Sequence, residues 1–429
     1  SWEAPLSNAP DAMKNTHPGT IVVLPGSKWQ VPLVQKLSKD GYRVLTVNPF
    51  EDSPAFEFAD GHLQADIFDI DAVAAYCKAE KATAILSDEC DIAMPAIATL
   101  GKRLGLHALS PESARLFTDK HRMRQFCEEH GFANPEYQVC KCAEEAESFM
   151  KTMSGSKIVL KPLDANSSRG VSIIGTASEV PDAFTYAMEY SKIEKAVLAE
   201  RFVEGREFTV DGIKTPSGHT SLAISKKAHY EHNESIACEL YFSHHDPDYD
   251  YDALRATNDA LMDATLLEFG LTHCEYKYEN GKFYLIEMAA RGGGNLISSH
   301  IVPFLSGIDS YGYLIDASLH GPSNASFAIP DSSSENCAVL RFFDNPTPKG
   351  TVEAIEGKGF LESCKGILAH GFNFDIGDTI AEATDDAARI GFYIAAGQNK
   401  AELDALINEV SQNVQIRCTE SSREGGSHA

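Results

Sequence analysis

Two strand-like runs, 272–278 and 283–290, limit this fold more than any other feature; Glu279, Asn280 and Gly281 separate them, and Arg291, three glycines and Asn295 follow. Alternating runs on either side of an Asn-Gly pair form a β-hairpin. Side chains two apart in a strand share a face, so Glu287, Ala289 and Arg291 line one side, bringing a carboxylate and a guanidinium together. Whether Glu275 joins them depends on the turn. A two-residue loop, Asn280-Gly281, sets Glu275 and Glu287 on opposite faces, whereas a three-residue loop that includes Glu279 sets them together. Two carboxylates on one face suit Mg²⁺, which takes one or two of them and completes its shell from substrate phosphate. A solvated acidic hairpin is the plainer alternative.

Upstream, strands alternate with helices. Runs at 20–26, 42–47 and 83–87 read as buried strands, and 32–40, 70–80 and 93–104 have helical spacing. This alternation predicts a parallel, doubly wound sheet over about 90 residues. Ligands of such sheets bind beyond the strand C-termini, which directs attention to Asp88, Glu89 and Asp91. A helix opens at Lys120, where the helix dipole disfavours a cation; the lysine is either solvated there or held for an anionic ligand. A strand at 157–162 leads into the polar loop 164–170. Its small residues, Ser167, Ser168 and Gly170 among them, let backbone amides approach phosphate oxygens, and Lys161 adds a point charge. Residues 196–212 read as two strands joined at Glu204-Gly205. Residues 228–251 are rich in His, Glu, Asp and Tyr with little periodicity, which predicts a long functional loop, a lid with His244 and His245 turned toward the chemistry. A helix at 252–269 leads into the hairpin. After another helix at 311–319, the turn-rich 321–335 is the linker candidate. The last segment combines strands at 338–343 and 389–395 with a helix at 400–413, as an antiparallel α+β piece does.

At 429 residues the chain exceeds one ordinary domain. Its 62 acidic residues against 37 Lys and Arg give a formal charge of −25, which opposes nucleic acid and acidic membrane surfaces. No apolar run is long enough to cross a bilayer. The expected partners are small molecules, with no nucleic acid and no membrane. Ten cysteines without a CxxC pair argue against a zinc ribbon or redox couple and for reduced thiols in the cytoplasm. Residues 1–18 lack the basic start and apolar core of a signal peptide and are expected to form a flexible arm; 419–429 are expected to be a disordered tail.

Taken together, these residues resemble the ATP-grasp superfamily, in particular its carboxylate-amine ligases and biotin-carboxylase-like members. The resemblance implies an α/β and α+β architecture: a Rossmann-like domain over 19–110, the two-lobed ATP-grasp domain over 111–330 and a biotin-carboxylase-like C-terminal domain over 331–418. Lys120 and Lys161 match its phosphate-reaching lysines, and Ser167, Ser168 and Gly170 its phosphate-covering loop. Glu200 matches the acid that meets the adenine amino group. Arg201 and Val203 match the hinge that reads the ring edge, and Glu207 the ribose acid. The metal pattern, a Glu followed on the next strand by Glu-x-Asn-x-Arg, is met by Glu275, Glu287 and Arg291 but carries Ala289 for the asparagine. Asn295 or water is left to fill that position.

The implied reaction is ATP-dependent joining of a carboxylate to an amine through an acylphosphate, with amino-acid substrates, Mg²⁺ or Mn²⁺ as cofactor, and a homodimer left open. Arg291 and Glu287 are the catalytic residues of this reading. Arg291 and the backbone at Gly293 meet the substrate carboxylate, Glu89 its ammonium, and His244 the transferring group from the lid. Two rivals remain: a carboxylase working through carboxyphosphate, and a nucleotide-binding protein without catalysis, which Ala289 favours.

Overall fold

The computed structural model describes residues 18–164, 168–231, 233–328, 334–344, 350–380 and 389–420. Ser167, the N-terminal arm, the tail beyond 420 and part of the linker candidate lie outside them. The first sheet contains Thr20–Val23 (β1), Arg43–Asn48 (β2), Gly61–Gln64 (β3) and Ala84–Leu86 (β4), all parallel in the order β3-β2-β1-β4. Its two faces are both covered, and the sequence of β1 shows how. Ile21 and Val23 pack with Leu33, Val34 and Leu37 of the helix Val31–Lys39. Their neighbours Val22 and Leu24 pack on the opposite side with Val73 and Ile97 from the helices Ile70–Ala79 and Ala93–Leu104. A run of consecutive apolar residues, here Ile21 to Leu24, is what such two-sided burial requires.

The second sheet is antiparallel: Tyr137–Cys140 (β5), Ile158–Pro162 (β6), Ser172–Ile174 (β7) and Val197–Arg201 (β8), in the order β5-β8-β6-β7. Ile158, Leu160, Val197 and Ala199 pack under the helices Ala143–Thr152 and Val180–Glu189. Alternation therefore turns Lys161 and Glu200 to the other face.

The third sheet has eight strands. It is built from Glu207–Thr215 (β9), Gly218–Tyr230 (β10), Asn233–Phe242 (β11), Gly270–Glu279 (β12), Lys282–Ala289 (β13) and Cys337–Phe342 (β14). After Gly350–Glu356 (β15), which pairs elsewhere, come Ile367–Phe372 (β16) and Gly391–Gly397 (β17). The order is β13-β12-β9-β10-β11-β14-β17-β16, while β15 pairs with Gln415–Glu420 (β18). One face buries Phe208, Val210, Cys274, Tyr276, Leu285 and Met288 against the helix Tyr251–Ala264 and its surroundings. The helix Lys400–Asn413 packs Leu403 and Val410 against Val339 and Ala395.

The expected lid is not a loop. Gly218–Tyr230 and Asn233–Phe242 are two long strands in the middle of this sheet, with β11 paired to β14, and 243–250 is irregular before the helix. The strand β3 and the short strands β15, β16 and β18 were also not legible as separate elements. Among the described residues no helix is long and apolar enough to cross a membrane.

Candidate functional site

A cavity of about 970 Å³ is lined by the segments that follow β1 and β4 and by the second and third sheets, and contains most of the singled-out residues. The hairpin β12–β13 supplies its acidic wall by a route that neither loop alternative anticipated. The turn is the two-residue Asn280-Gly281, both residues left-handed, with Glu279 paired to Lys282. Continued regularly, that register would pair Glu275 with Ile286. Instead a bulge at Ile286 pairs Glu275 with Glu287, so the two carboxylates share a face after all. The bulge has a dedicated partner. Arg124, buried completely, donates from Nη1 to the Leu285 carbonyl at 2.7 Å and from Nη2 to the Ile286 carbonyl at 2.7 Å.

Cations answer the acids. Lys120, in the first turn of the helix Lys120–His130, donates to Glu287 Oε1 at 2.9 Å. Burial disfavours ionised Glu287, but Lys120, then Lys161 and Arg291, outweigh it and bring its pKa down to about 2. Lys227 bridges two acids, with Nζ 3.0 Å from Glu207 Oε1 and 3.1 Å from Glu275 Oε1. Against the cost of burial, Glu207 and then Glu275 raise the lysine's pKa. His229 Nε2 lies 2.8 Å from the second oxygen of Glu207. Lys161 Nζ lies 3.0 Å from Glu200 Oε1, close in distance but not aligned as a hydrogen bond, so this buried acceptor is left without one.

At the other edge, Arg291 is held by Asp91, not by Glu287: Nη2 donates to Oδ2 at 2.8 Å and Nε lies 2.8 Å from Oδ1. Glu89 is buried beside it. Desolvation, then Asp88, push its pKa well above the carboxylate range, while Arg291 pulls the other way. The glycine turn between Arg291 and Asn295 is anchored by a pair that the hairpin argument passed over. Asp211 Oδ1 accepts from the Gly293 amide at 2.9 Å and lies 3.0 Å from His273 Nδ1. A Cβ at Gly293 would come within 2.7 Å of that oxygen, which explains the glycine. His273 pairs across the strands with both Asp211 and Ala289. It stands two residues before Glu275, so the same alternation that selects Glu275 selects it.

Of the remaining candidates, Ser168 lines the cavity and Gly170 closes the same turn at φ +74°, where a Cβ would meet Pro162 at 2.7 Å. Val203 is buried, and its carbonyl accepts from Lys277 Nζ at 3.1 Å. The Arg201 side chain ties Glu136 at 2.6 Å and Glu279 at 3.0 Å. Asn295 lines the cavity in a left-handed conformation. His244 does not reach the site. It is buried away from the cavity, donating from Nε2 to the Leu305 carbonyl at 2.9 Å, and its own carbonyl accepts from Arg255. Its position follows from the strands that replace the expected lid.

The donor set fits a hard divalent cation and a polyanion. Glu275 and Glu287 offer oxygen ligands on one face, and Lys120 and Lys161 stand beside them. Among the described residues no three or more His, Cys, Asp or Glu gather as a closed metal cage. That suits an ion that draws the rest of its shell from substrate and water.

Comparison with known proteins places two segments of the chain in described families. Residues 154–300 match the ATP-grasp domain, and 345–419 match the L-amino acid ligase C-terminal domain 2. Dapdiamide A synthase of Enterobacter agglomerans is 25% identical over 303 residues, covering 68% of this chain and 70% of its own. The L-amino acid ligase of Bacillus licheniformis superposes with a TM-score of 0.77 at 16% identity, over 95% of this chain and all of its own. Biotin carboxylase of Campylobacter jejuni gives a TM-score of 0.70 at 15% identity, over 93% of this chain and 92% of its own.

Proposed function

We propose, of a chain that belongs to the ATP-grasp superfamily and is an ATP-dependent ligase forming amide bonds, that its substrates are amino acids and that it couples them through an acylphosphate. The observation that carries the reading is the pairing of Arg291, fixed in orientation by Asp91, with the buried Glu89 in one cavity with Glu275 and Glu287. A guanidinium for a carboxylate and, in Glu89, a buried acid that an incoming ammonium would return to its ionised form are the two contacts an amino acid needs. Bicarbonate would use only the first.

In this reading Lys120 and Lys161 meet the phosphates, with the backbone at Ser168 and Gly170 closing over them. Glu200, with its unbonded oxygen, accepts from the adenine amino group, while the Arg201 carbonyl and Val203 amide read the ring edge and Glu207 takes the ribose hydroxyls. Mg²⁺, or Mn²⁺ in its place, would be held by Glu275 and Glu287, with Asn295 or water where Ala289 offers nothing. When bound, the ion neutralises charge on the transferring phosphoryl group. Arg291 orients the attacking carboxylate, and Glu287, kept ionised by Lys120, holds its side of the site at fixed charge. The ten free cysteines accord with a reducing, cytoplasmic setting.

The test is phosphate release from ATP and Mg²⁺ with the twenty amino acids, singly and in pairs, and with bicarbonate. Hydroxylamine should trap the activated carboxylate. Stimulation by amino-acid pairs with a trapped hydroxamate is expected. Release with bicarbonate alone would replace the ligase reading with the carboxylase one.

A further inference from the structure

The cavity does not end at the charged groups. Beyond the glycine turn its wall becomes apolar, and the residues that make it come from distant parts of the chain. Trp29 arrives from the turn after β1. Leu240 pairs with Leu340 across β11 and β14, and Phe342 pairs with Phe392 across β14 and β17. Three adjacent strands thus build one continuous patch. Trp29 closes it from the side, its ring centroid 5.9 Å from that of Phe392. Ile297 joins the same apolar cluster, and its amide donates to the Gly294 carbonyl at 3.3 Å, so this wall begins where the glycine turn ends.

Of the charges at the edge of the patch, Arg389 and Lys28 are engaged nearby and Asp378 accepts from the Asp375 amide at 2.8 Å. The Arg389 guanidinium carbon lies 3.7 Å from the Phe342 ring centroid, and its Nη2 donates to the Ala237 carbonyl at 2.9 Å. Lys28 donates to Asn373 at 3.3 Å and lies over the Trp29 ring. The strand backbones beneath are paired in the sheet. A charged side chain entering this space would lose water against ring faces, and the charges nearest to it, Lys28, Asp375 and Asp378, are solvent-exposed and weak partners. A methyl group would leave most of the wall uncovered. A large apolar side chain would bury itself and the wall together. At about 970 Å³ the whole cavity lies at the upper end of small-molecule sites, with room for a second ligand beside a nucleotide.

We propose that this apolar pouch, walled by Trp29, Ala237, Leu240, Leu340, Phe342 and Phe392, receives the bulky apolar side chain, aromatic or branched, of one amino-acid substrate. The inference rests on the ligase reading above and adds the substrate's chemical class.

The experiment measures kcat/KM for each amino acid in the phosphate-release assay, with the partner substrate saturating, in the wild type, Ala237→Leu and Trp29→Ala. In the wild type, phenylalanine or leucine in one substrate position should exceed alanine, aspartate and lysine by about tenfold or more. Ala237→Leu fills the pouch from its floor and should lower the phenylalanine-to-alanine ratio by about tenfold. Trp29→Ala removes a wall from outside the sheet and should lower the same ratio; it decides the matter if the strand variant does not fold. A wild type that prefers small or charged residues, or a ratio unmoved in a folded variant, overturns the pouch and leaves the ligase intact. Release stimulated by no amino acid overturns the ligase reading and the pouch with it.

Discussion

Two hairpins flank β9, one on each side, and both break register where they face the cavity. In β12–β13 the break is a single bulge whose two exposed carbonyls are taken up by the buried Arg124. In β10–β11 the register shifts at Ala228 and again at His229, and what stands there is a side-chain cluster, with Lys227 and His229 both on Glu207. Burial works against ionised Glu207, yet Lys227, then His229, hold it far below the usual carboxylate range. The difference is one of means. The first hairpin fixes two acids by clamping the backbone that carries them, and the second supplies cations whose positions depend on the acids they meet. Errors in the first should therefore fall on the chemical step, and errors in the second on binding.

The strongest test of that division is Glu287→Gln, which keeps the side chain's shape and removes its charge. Turnover of ATP should fall by at least about 100-fold in the folded variant, because the proposed reading makes Glu287 a charged ligand of the dication. Near-normal turnover would remove Glu287 from the site. Arg124→Leu attacks the clamp itself. Two buried carbonyls lose their donor, so stability should drop by about 3 kcal/mol in urea unfolding. The Mg²⁺ concentration for half-maximal activity should rise as Glu275 and Glu287 lose their common face. An unchanged Mg²⁺ dependence in the folded variant would mean that the bulge holds without its arginine.

The same contrast decides what was legible in the sequence. The β12–β13 hairpin announces itself through alternation and Asn280-Gly281, but the bulge does not, because its cause is Arg124, about 160 residues away in sequence, and no local pattern reports a partner that distant. Two facing carboxylates were left conditional on the turn, and they are brought together through the loop type that, taken alone, sets them on opposite faces. The β10–β11 pair was read as irregular from 228 onward because a strand with one face on a polar cavity lacks the apolar alternation that marks a half-buried sheet. His244 was assigned to a lid for the same reason. Lys227, His229, Asp211 and His273 were missed, although two of them, Asp211 and His273, lie on strands already located and share a face with residues already chosen. The doubly wound sheet was readable because β1 is buried on both sides, which leaves a continuous apolar run.

A smaller effect separates the hairpin's exit from its interior. Past β13 the Gly292 amide donates to the Asp88 carbonyl at 2.6 Å, and the Asp88 side chain accepts from Tyr311 and from Gln30 at 3.4 Å. Burial, only partly offset by these hydrogen bonds, pushes its pKa from 3.8 up to about 6. A raised carboxyl pKa means that the folded state binds the proton more tightly than the unfolded one. The resulting contribution is complete below about pH 4 and is lost as pH rises through about 6, a change of about 2 to 3 kcal/mol. Asp88→Asn should remove that slope, so melting temperatures of the two proteins should diverge between pH 4 and 7. Parallel curves would show that Asp88 titrates normally.

The least severe effect is expected at the second hairpin, from Lys227→Met. The methionine retains the length and apolar stem of the lysine and deletes the charge shared by Glu207 at 3.0 Å and Glu275 at 3.1 Å. Glu207 keeps His229 and the neighbouring Lys277, while Glu275 is left with His273, whose Nε2 lies 4.0 Å away. The lysine orients Glu207 without itself belonging to the bulge, so the loss should appear mainly in the KM for ATP, higher by about tenfold as for other groups that position a ligand contact. The kcat should change far less than in Glu287→Gln. A kcat collapse equal to that of Glu287→Gln would erase the proposed distinction between a clamped hairpin at the chemical step and a cation-bearing hairpin at the nucleotide.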